Sequence, residues 1–373
     1  RSPRLETNRR MSVKTTSIAA AALVTATALA FAGCATNETP AAGGTTGTSG
    51  SQTLTGVGAS SQKAAQEKWQ AEFQTANPNI TVNYSPDGSG AGRSAFIAGA
   101  AAFAGSDRPL KDDEMGAGKF AGCAPESNAL NLPVYISPIA VIFNVDGVKE
   151  LALDPETLAG IFAGTITKWN DPAIAKANPD AKLPDAAITA VHRGDDSGTT
   201  NNFTDTLNKL APSVWTQAAS DTFPADFGGE AANGTSGVVQ AVTSGQNTIG
   251  YADASAAGSL GKASILVNGK ALQPTADAAS AILDHSKTIA GRDANDLAYS
   301  LDRTSEGVYP AVLVSYALVC QTYKDSATAT LVKDYVGYIA SADGQAAAAA
   351  AAGSAELSSA LQAKVKTAVD SIK

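Results

Sequence analysis

The stretch His192-Arg193-Gly194-Asp195-Asp196-Ser197-Gly198-Thr199-Thr200 lies between an apolar run at 188–192 and an amphipathic stretch at 199–210. The run reads as a strand and the stretch as a helix, so the loop between them is a strand-to-helix turn. Two more loops have the same plan. Thr55-Gly56-Val57-Gly58-Ala59-Ser60-Ser61 leaves a strand at 54–58 and enters a helix at 60–76. Ser85-Pro86-Asp87-Gly88-Ser89-Gly90-Ala91-Gly92 leaves a strand at 80–84 and enters a helix at 92–102. In each, Gly lets the backbone approach a ligand closely, and Ser or Thr stands at the helix start. The first N–H groups of a helix lack internal partners and carry the positive end of its dipole, which makes each loop a candidate oxyanion cradle. A Ser N-cap alone explains one such loop. Three in one chain, the third bearing Arg193, point to a small anion.

Outward from these loops the chain keeps alternating. Phe103–Ser106 reads as a strand closed by Asp107, which on this evidence is either a turn or cap residue or a ligand. Residues 131–145 form a long apolar run broken by Pro133 and Pro138, expected to be two strands meeting at a bend. Asp154 and Pro155 open a helix to Phe162. Strands are expected at 248–252, 264–268 and within 309–320, and helices at 327–340, 346–352 and 357–372. This order implies an α/β protein with mostly parallel sheets, whose ligands bind at the carboxyl ends of strands.

The 373 residues suffice for two domains. There are 27 Lys plus Arg against 35 Asp plus Glu, a net charge of −8, so no nucleic-acid partner is expected. Two histidines, His192 and His285, and three cysteines show no zinc spacing, and no metal site is expected. The Gly56-Val57-Gly58 stretch lacks the third glycine and the second-strand acid of a dinucleotide site, and no cofactor is expected.

The first fifty residues read as an address and a tether. Met11 reads as the start, Lys14 as the positive region, and 18–32 as the apolar region of a signal peptide. The segment Leu29-Ala30-Phe31-Ala32-Gly33-Cys34 resembles a bacterial lipobox, which makes Cys34 the candidate lipidated residue; plain secretion is the alternative. Gly, Thr, Ser and Ala dominate 35–52, a flexible linker spanning on the order of 25 Å. Without residues 1–33 the chain has 22 basic and 34 acidic residues, a net −12. Cys123 and Cys320 then remain, as one disulfide or as two buried thiols.

With these loops in view, residues 53–345 resemble the phosphate-binding lipoprotein family of the bacterial phosphate-specific ABC transporter. The likeness rests on Gly56-Val57-Gly58-Ala59-Ser60, on Asn83-Tyr84 ahead of Gly88-Ser89-Gly90, and on Gly105-Ser106-Asp107-Arg108-Pro109-Leu110. It continues through Lys168-Trp169-Asn170-Asp171, Arg193-Gly194-Asp195-Asp196-Ser197-Gly198-Thr199-Thr200 and Ile249-Gly250-Tyr251. The first loop has Ser60-Ser61 where the family commonly has Thr-Phe, which keeps the hydroxyl.

The resemblance implies a two-lobed periplasmic-binding-protein-like fold (type II) with a two-strand hinge. Lobe one would comprise 53–135 and 312–373, and lobe two 136–311. It implies that Ser60, Ser61, Ser89 and Asp107 from lobe one, and Arg193, Ser197, Gly198 and Thr199 from lobe two, hold inorganic phosphate, with Asp195 orienting Arg193. Any Cys123–Cys320 disulfide would lie within lobe one. The expected partners are the membrane permease subunits of an ABC importer and, through the lipid anchor, the membrane; the protein itself would be a monomer. Two rivals stand beside this reading: an exported phosphatase-type hydrolase using Ser60, Ser197 or Thr199, and a binder of sulfate or molybdate. Against the hydrolase, no Gly-x-Ser-x-Gly elbow is present, and His192, the one histidine near the loops, reads as a strand-end residue.

Overall fold

In the computed structural model, residues 51–373 are described; the expected leader, Cys34 and nearly all of the tether lie outside them. Thirteen strands and eleven α-helices lie among these residues. The first lobe begins with β1 (Gln52–Gly58), α1 (Lys63–Ala76), β2 (Ile80–Ser85), α2 (Ser89–Ile97) and β3 (Phe103–Ser106). A long strand, β4 (Ala129–Asn144), leads to the second lobe. There follow β5 (Ala152–Leu153), α3 (Pro155–Phe162), α4 (Pro172–Ala177), β6 (Thr189–Arg193), α5 (Gly198–Leu210), β7 (Glu230–Ala232), α6 (Gly234–Ser244), β8 (Thr248–Asp253), β9 (Gly261–Val267) and β10 (Lys270–Leu272). Two short helices, α7 (Ala276–Ser280) and α8 (Ile282–His285), precede a ribbon of β11 (Lys287–Thr288) and β12 (Tyr299–Ser300). The chain returns through β13 (Val312–Cys320) and ends in α9 (Ser326–Ala340), α10 (Ala342–Ala352) and α11 (Ser359–Asp370).

The main sheet runs β2-β1-β3-β13-β4-β8-β6-β7. Pairing is parallel in the outer part of each lobe, β2-β1-β3 on one side and β8-β6-β7 on the other. It is antiparallel where β13 and β4 run through the middle. The outer parallel strands require helical crossovers, and those helices begin where the strands end. Three antiparallel pairings separate β1 from β6, so β6 runs opposite to β1 and β2, and the first two Gly/Ser loops face the third beside the middle of β4, where that strand changes partners.

The expected bend in the 131–145 run is corrected: β4 is a single strand of 16 residues. Its two halves have different partners, which keeps a strand with two prolines continuous. Ala129–Pro138 pairs with β13, with a register shift at Ser315/Tyr316, and Ile139–Asn144 pairs with β8. Helix α2 begins at Ser89 and ends at Ile97, earlier at both ends than expected, and turn residues fill 98–102.

The core follows the lobes. Trp69 and Phe73, four apart on α1, are buried against the β4 and α9 aromatics Tyr135 and Tyr335. The Trp69 indole N–H donates to the Gly344 carbonyl on α10, so the C-terminal helices close over the first lobe. Phe162, Phe203 and Tyr251 form an edge-and-stack cluster inside the second lobe. Cys123 and Cys320 form a disulfide that ties the loop after β3 to the end of β13. Residues 292–297, expected with the middle lobe, reach back to the first: Arg292 donates to the Leu110 carbonyl and Leu297 N–H to the Asn131 carbonyl.

Candidate ligand-binding site

Asp107 follows directly on β3 and is almost fully buried. Its carboxylate accepts three hydroxyls. Ser61 and Ser315 each donate to Oδ1 at 2.6 Å, and Thr199 donates to Oδ2 at 2.8 Å. These donors come from the first loop, from β13 and from the third loop, so one acid joins both lobes and a central strand. Its backbone N–H donates to Ser89 Oγ at 3.1 Å, which adds the second loop.

A buried relay fixes which way the Ser315 proton points. The Tyr335 hydroxyl donates to Gln66 Oε1, Gln66 Nε2 to Gln62 Oε1, and Gln62 Nε2 to Ser315 Oγ. Ser315, already accepting from an amide, gives its own proton to Asp107.

The third loop is shaped by its local chemistry. Ser197 caps α5 through the Thr200 N–H, as a Ser at that position should. Gly198 is the first helical residue, and a Cβ there would stand 2.8 Å from both Asp107 Cβ and Ser89 Oγ of the other lobe. Only a residue without a side chain lets the two lobes meet this closely. The Arg193 guanidinium donates from Nε and Nη2 to Asp195 at 2.7 and 2.5 Å. Burial pushes the Asp195 carboxyl up, but the Arg193 hydrogen bonds and charge prevail and hold it below its ordinary range. Two of five guanidinium N–H groups are thereby used, leaving three on Nη1 and Nη2 for an anion. The second loop packs on this pair: a Cβ on Gly88, which sits at φ +103°, would be 2.6 Å from Asp195 Oδ2 and 3.6 Å from Arg193 Nη2.

Ser60 does not contact Asp107. Its Oγ accepts the Thr235 N–H and pairs with Thr235 Oγ1, both at 3.0 Å, at the start of α6. The neighbouring Gly234 N–H donates to Asp195 Oδ1. A fourth helix N-terminus therefore joins the three expected ones. Thr235 and Ser315 join this locus without being expected from the sequence. Ser315 left a signal, being the one Ser or Thr in the run 309–320. Thr235 left one too: Asn233-Gly234-Thr235-Ser236-Gly237 repeats the Gly and Ser/Thr pattern of the three loops, but the short strand before it carries no apolar run to mark it as a strand-to-helix turn.

All eight expected residues thus fall on one buried locus. Ser61, Ser89, Asp107, Gly198 and Thr199 form its centre, Arg193 with Asp195 one wall, Ser60 another, and Ser197 the helix cap. His192 is not poised as a base: its ring stacks on Phe223 at 4.1 Å and Nδ1 lies 3.0 Å from the Arg193 carbonyl. Among the described residues, no group of three or more His, Cys, Asp or Glu could hold a metal ion.

Two lobes joined by long shared strands, with a polar locus between helix starts, define a binding protein of the two-lobed periplasmic type. Residues 41–343 match the PBP superfamily domain. The Mycobacterium tuberculosis "Phosphate-binding protein PstS 3" is 36% identical over 338 residues, covering 85% of this chain and 89% of the relative. "Phosphate-binding protein PstS 2" of the same species is 34% identical over 335 residues, with the same coverage. The solved structure of a high affinity periplasmic phosphate-binding protein, PfluDING, bound with phosphate, superposes with a TM-score of 0.69. That structure is 25% identical, and the match covers 85% of this chain and 93% of it. The chain belongs to the PstS family of phosphate-binding proteins.

Proposed function

We propose that the interlobe cleft captures inorganic phosphate and hands it to the permease of an ABC importer, with no chemical turnover, and that Cys34 carries the lipid that holds the protein at the membrane. The observation that carries this reading is the Asp107 carboxylate, fed by hydroxyls from both lobes. A carboxylate offers about four lone-pair sites, and three are taken by protein hydroxyls. The fourth suits the O–H that phosphate keeps at neutral pH. Sulfate has no such proton and would set an unmatched charge against the acid. A site built on an obligatory hydrogen bond rejects ligands lacking it by roughly 10⁴-fold or more.

The remaining oxygens are served by neutral donors. Ser60, Ser61 and Ser89 on one lobe, and the Ser197-Gly198-Thr199 helix start on the other, supply hydroxyls and backbone N–H groups. Arg193, held in plane by Asp195, adds a charge-assisted fork. Because the donors belong to two lobes, ligand favours the closed form, and release requires the lobes to part. The phosphate-binding proteins to which this chain is similar support this assignment of ligand.

Calorimetric titration with phosphate tests the reading together with a nitrophenyl phosphate assay, run with and without divalent metal. One phosphate bound per chain and no colour release are expected. Absence of phosphate binding, or turnover of the ester, would overturn it.

A further inference from the structure

Beside the ligand locus, and outside it, lies a buried cluster of opposite charges that crosses between the lobes. Arg108, the residue after Asp107, directs Nε and Nη2 at the Asp221 carboxylate of the second lobe at 2.7–2.8 Å. Arg93 on α2 reaches the same carboxylate from Nη2 at 3.1 Å and Asp196 of the third loop at 3.5 Å. Both guanidinium side chains are nearly inaccessible, at 4% and 7%, and Asp221 is 11% exposed. Glu114, from the same lobe as the arginines, backs them: it accepts from Arg108 at 2.6 and 2.9 Å and lies 3.5 Å from Arg93. Lys111, also in the first lobe and half exposed, stands 3.7 Å from Asp221.

Two further contacts tie the cluster to the third loop. The Asp221 carbonyl accepts the Ser197 N–H at 2.9 Å, and the Asp196 carbonyl accepts the Gly90 N–H at 3.0 Å. Asp221 therefore holds the residue that caps α5 with its backbone while its side chain grips the opposite lobe.

We propose that Arg93, Arg108 and Asp221 form a clasp that holds the lobes shut over the ligand and sets how slowly it leaves; this rests on the phosphate-binding reading above. These are positioning residues: none belongs to the set that surrounds Asp107, Arg193 and Ser89, so they act on closure and not on ligand choice. Opening the cleft separates buried cations from their anion, and such largely desolvated, multiply bonded pairs act mainly on dissociation. Glu114 lies on the arginine side of the divide, so it travels with them when the lobes part and does not join them.

The test compares Asp221→Asn with Glu114→Gln in the mature chain. Radiolabelled phosphate chased with excess unlabelled phosphate gives the dissociation rate, and titration gives the phosphate-to-sulfate affinity ratio. Asp221→Asn should release phosphate about tenfold faster or more, with an association rate and an ion ratio close to wild type. Glu114→Gln should stay within about twofold of wild type. Equal losses in the two variants would mark the cluster as ordinary packing and overturn the clasp, as would an Asp221→Asn rate equal to wild type. If the wild type takes up no phosphate, the functional reading fails by itself. The clasp is then read by small-angle scattering of ligand-free protein: a larger radius of gyration for Asp221→Asn supports it and equal radii overturn it.

Discussion

At the scale of single residues, Asp107 and Gly198 carry most of the argument. Asp107→Asn replaces an acceptor with a group that can donate, so sulfate should gain and phosphate should lose until their affinities lie within about tenfold; paired titrations read this directly. Gly198→Ala pushes a methyl against Asp107 and Ser89, the nearest atoms it would meet, across the cleft. Phosphate affinity should fall by about tenfold or more while the unfolding midpoint of the ligand-free protein stays near wild type. Asp253, fully buried at the end of β8, accepts from Tyr135 OH at 3.2 Å and from Ser255 N–H at 2.9 Å. Burial pushes its carboxyl up to about 6 despite those bonds. A pKa raised on folding means stability that is fully present below about pH 4 and is lost as pH rises through 6. Thermal melts should therefore show wild type losing ground to Asp253→Asn between pH 4 and 7. The ligand set around Asp107 was legible in the sequence because each loop advertises itself locally, with Gly for approach and Ser or Thr for the cap. Ser315 reaches the same place from a central strand with no such local signature.

Among elements, helix starts and paired strands position the site. The α5 start depends on Ser197, whose Oγ accepts the Thr200 N–H at 3.2 Å. The loop that bears Arg108 and Glu114 is tied to β13 by Cys123–Cys320. Replacing both cysteines by Ser should cost about 2–5 kcal/mol in denaturant unfolding, measured at equilibrium. Phosphate binding should persist, since neither sulfur approaches the ligand locus. Most strands and helices were legible from alternation and capping; Asp154 with Pro155 at α3 is the plainest case. The continuity of β4 was not, because Pro133 and Pro138 argue locally for a break. What overrides them is distant pairing, with β13 on one half and β8 on the other. Helix α6 was missed for the complementary reason: its sequence is weakly patterned, and its place follows from β7 and β8 on either side.

For the whole molecule, closure and charge act together. The expected mature chain carries a net −12, which repels an anion at long range. Recognition therefore has to come from short-range donors in a buried cleft, and such contacts are screened little by salt. Phosphate affinity should change by no more than about threefold between 50 and 500 mM sodium chloride, a range over which a basic anion trap would lose far more. The two-lobed plan itself was legible only through resemblance, since alternating strands and helices specify parallel pairing but not where the chain crosses. The most direct test is titration of the wild-type protein at pH 7 with phosphate and with sulfate. The predicted result is one phosphate per chain, bound roughly 10⁴-fold or more tighter than sulfate. Equal affinity for the two ions would contradict the claim that Asp107 reads the phosphate proton.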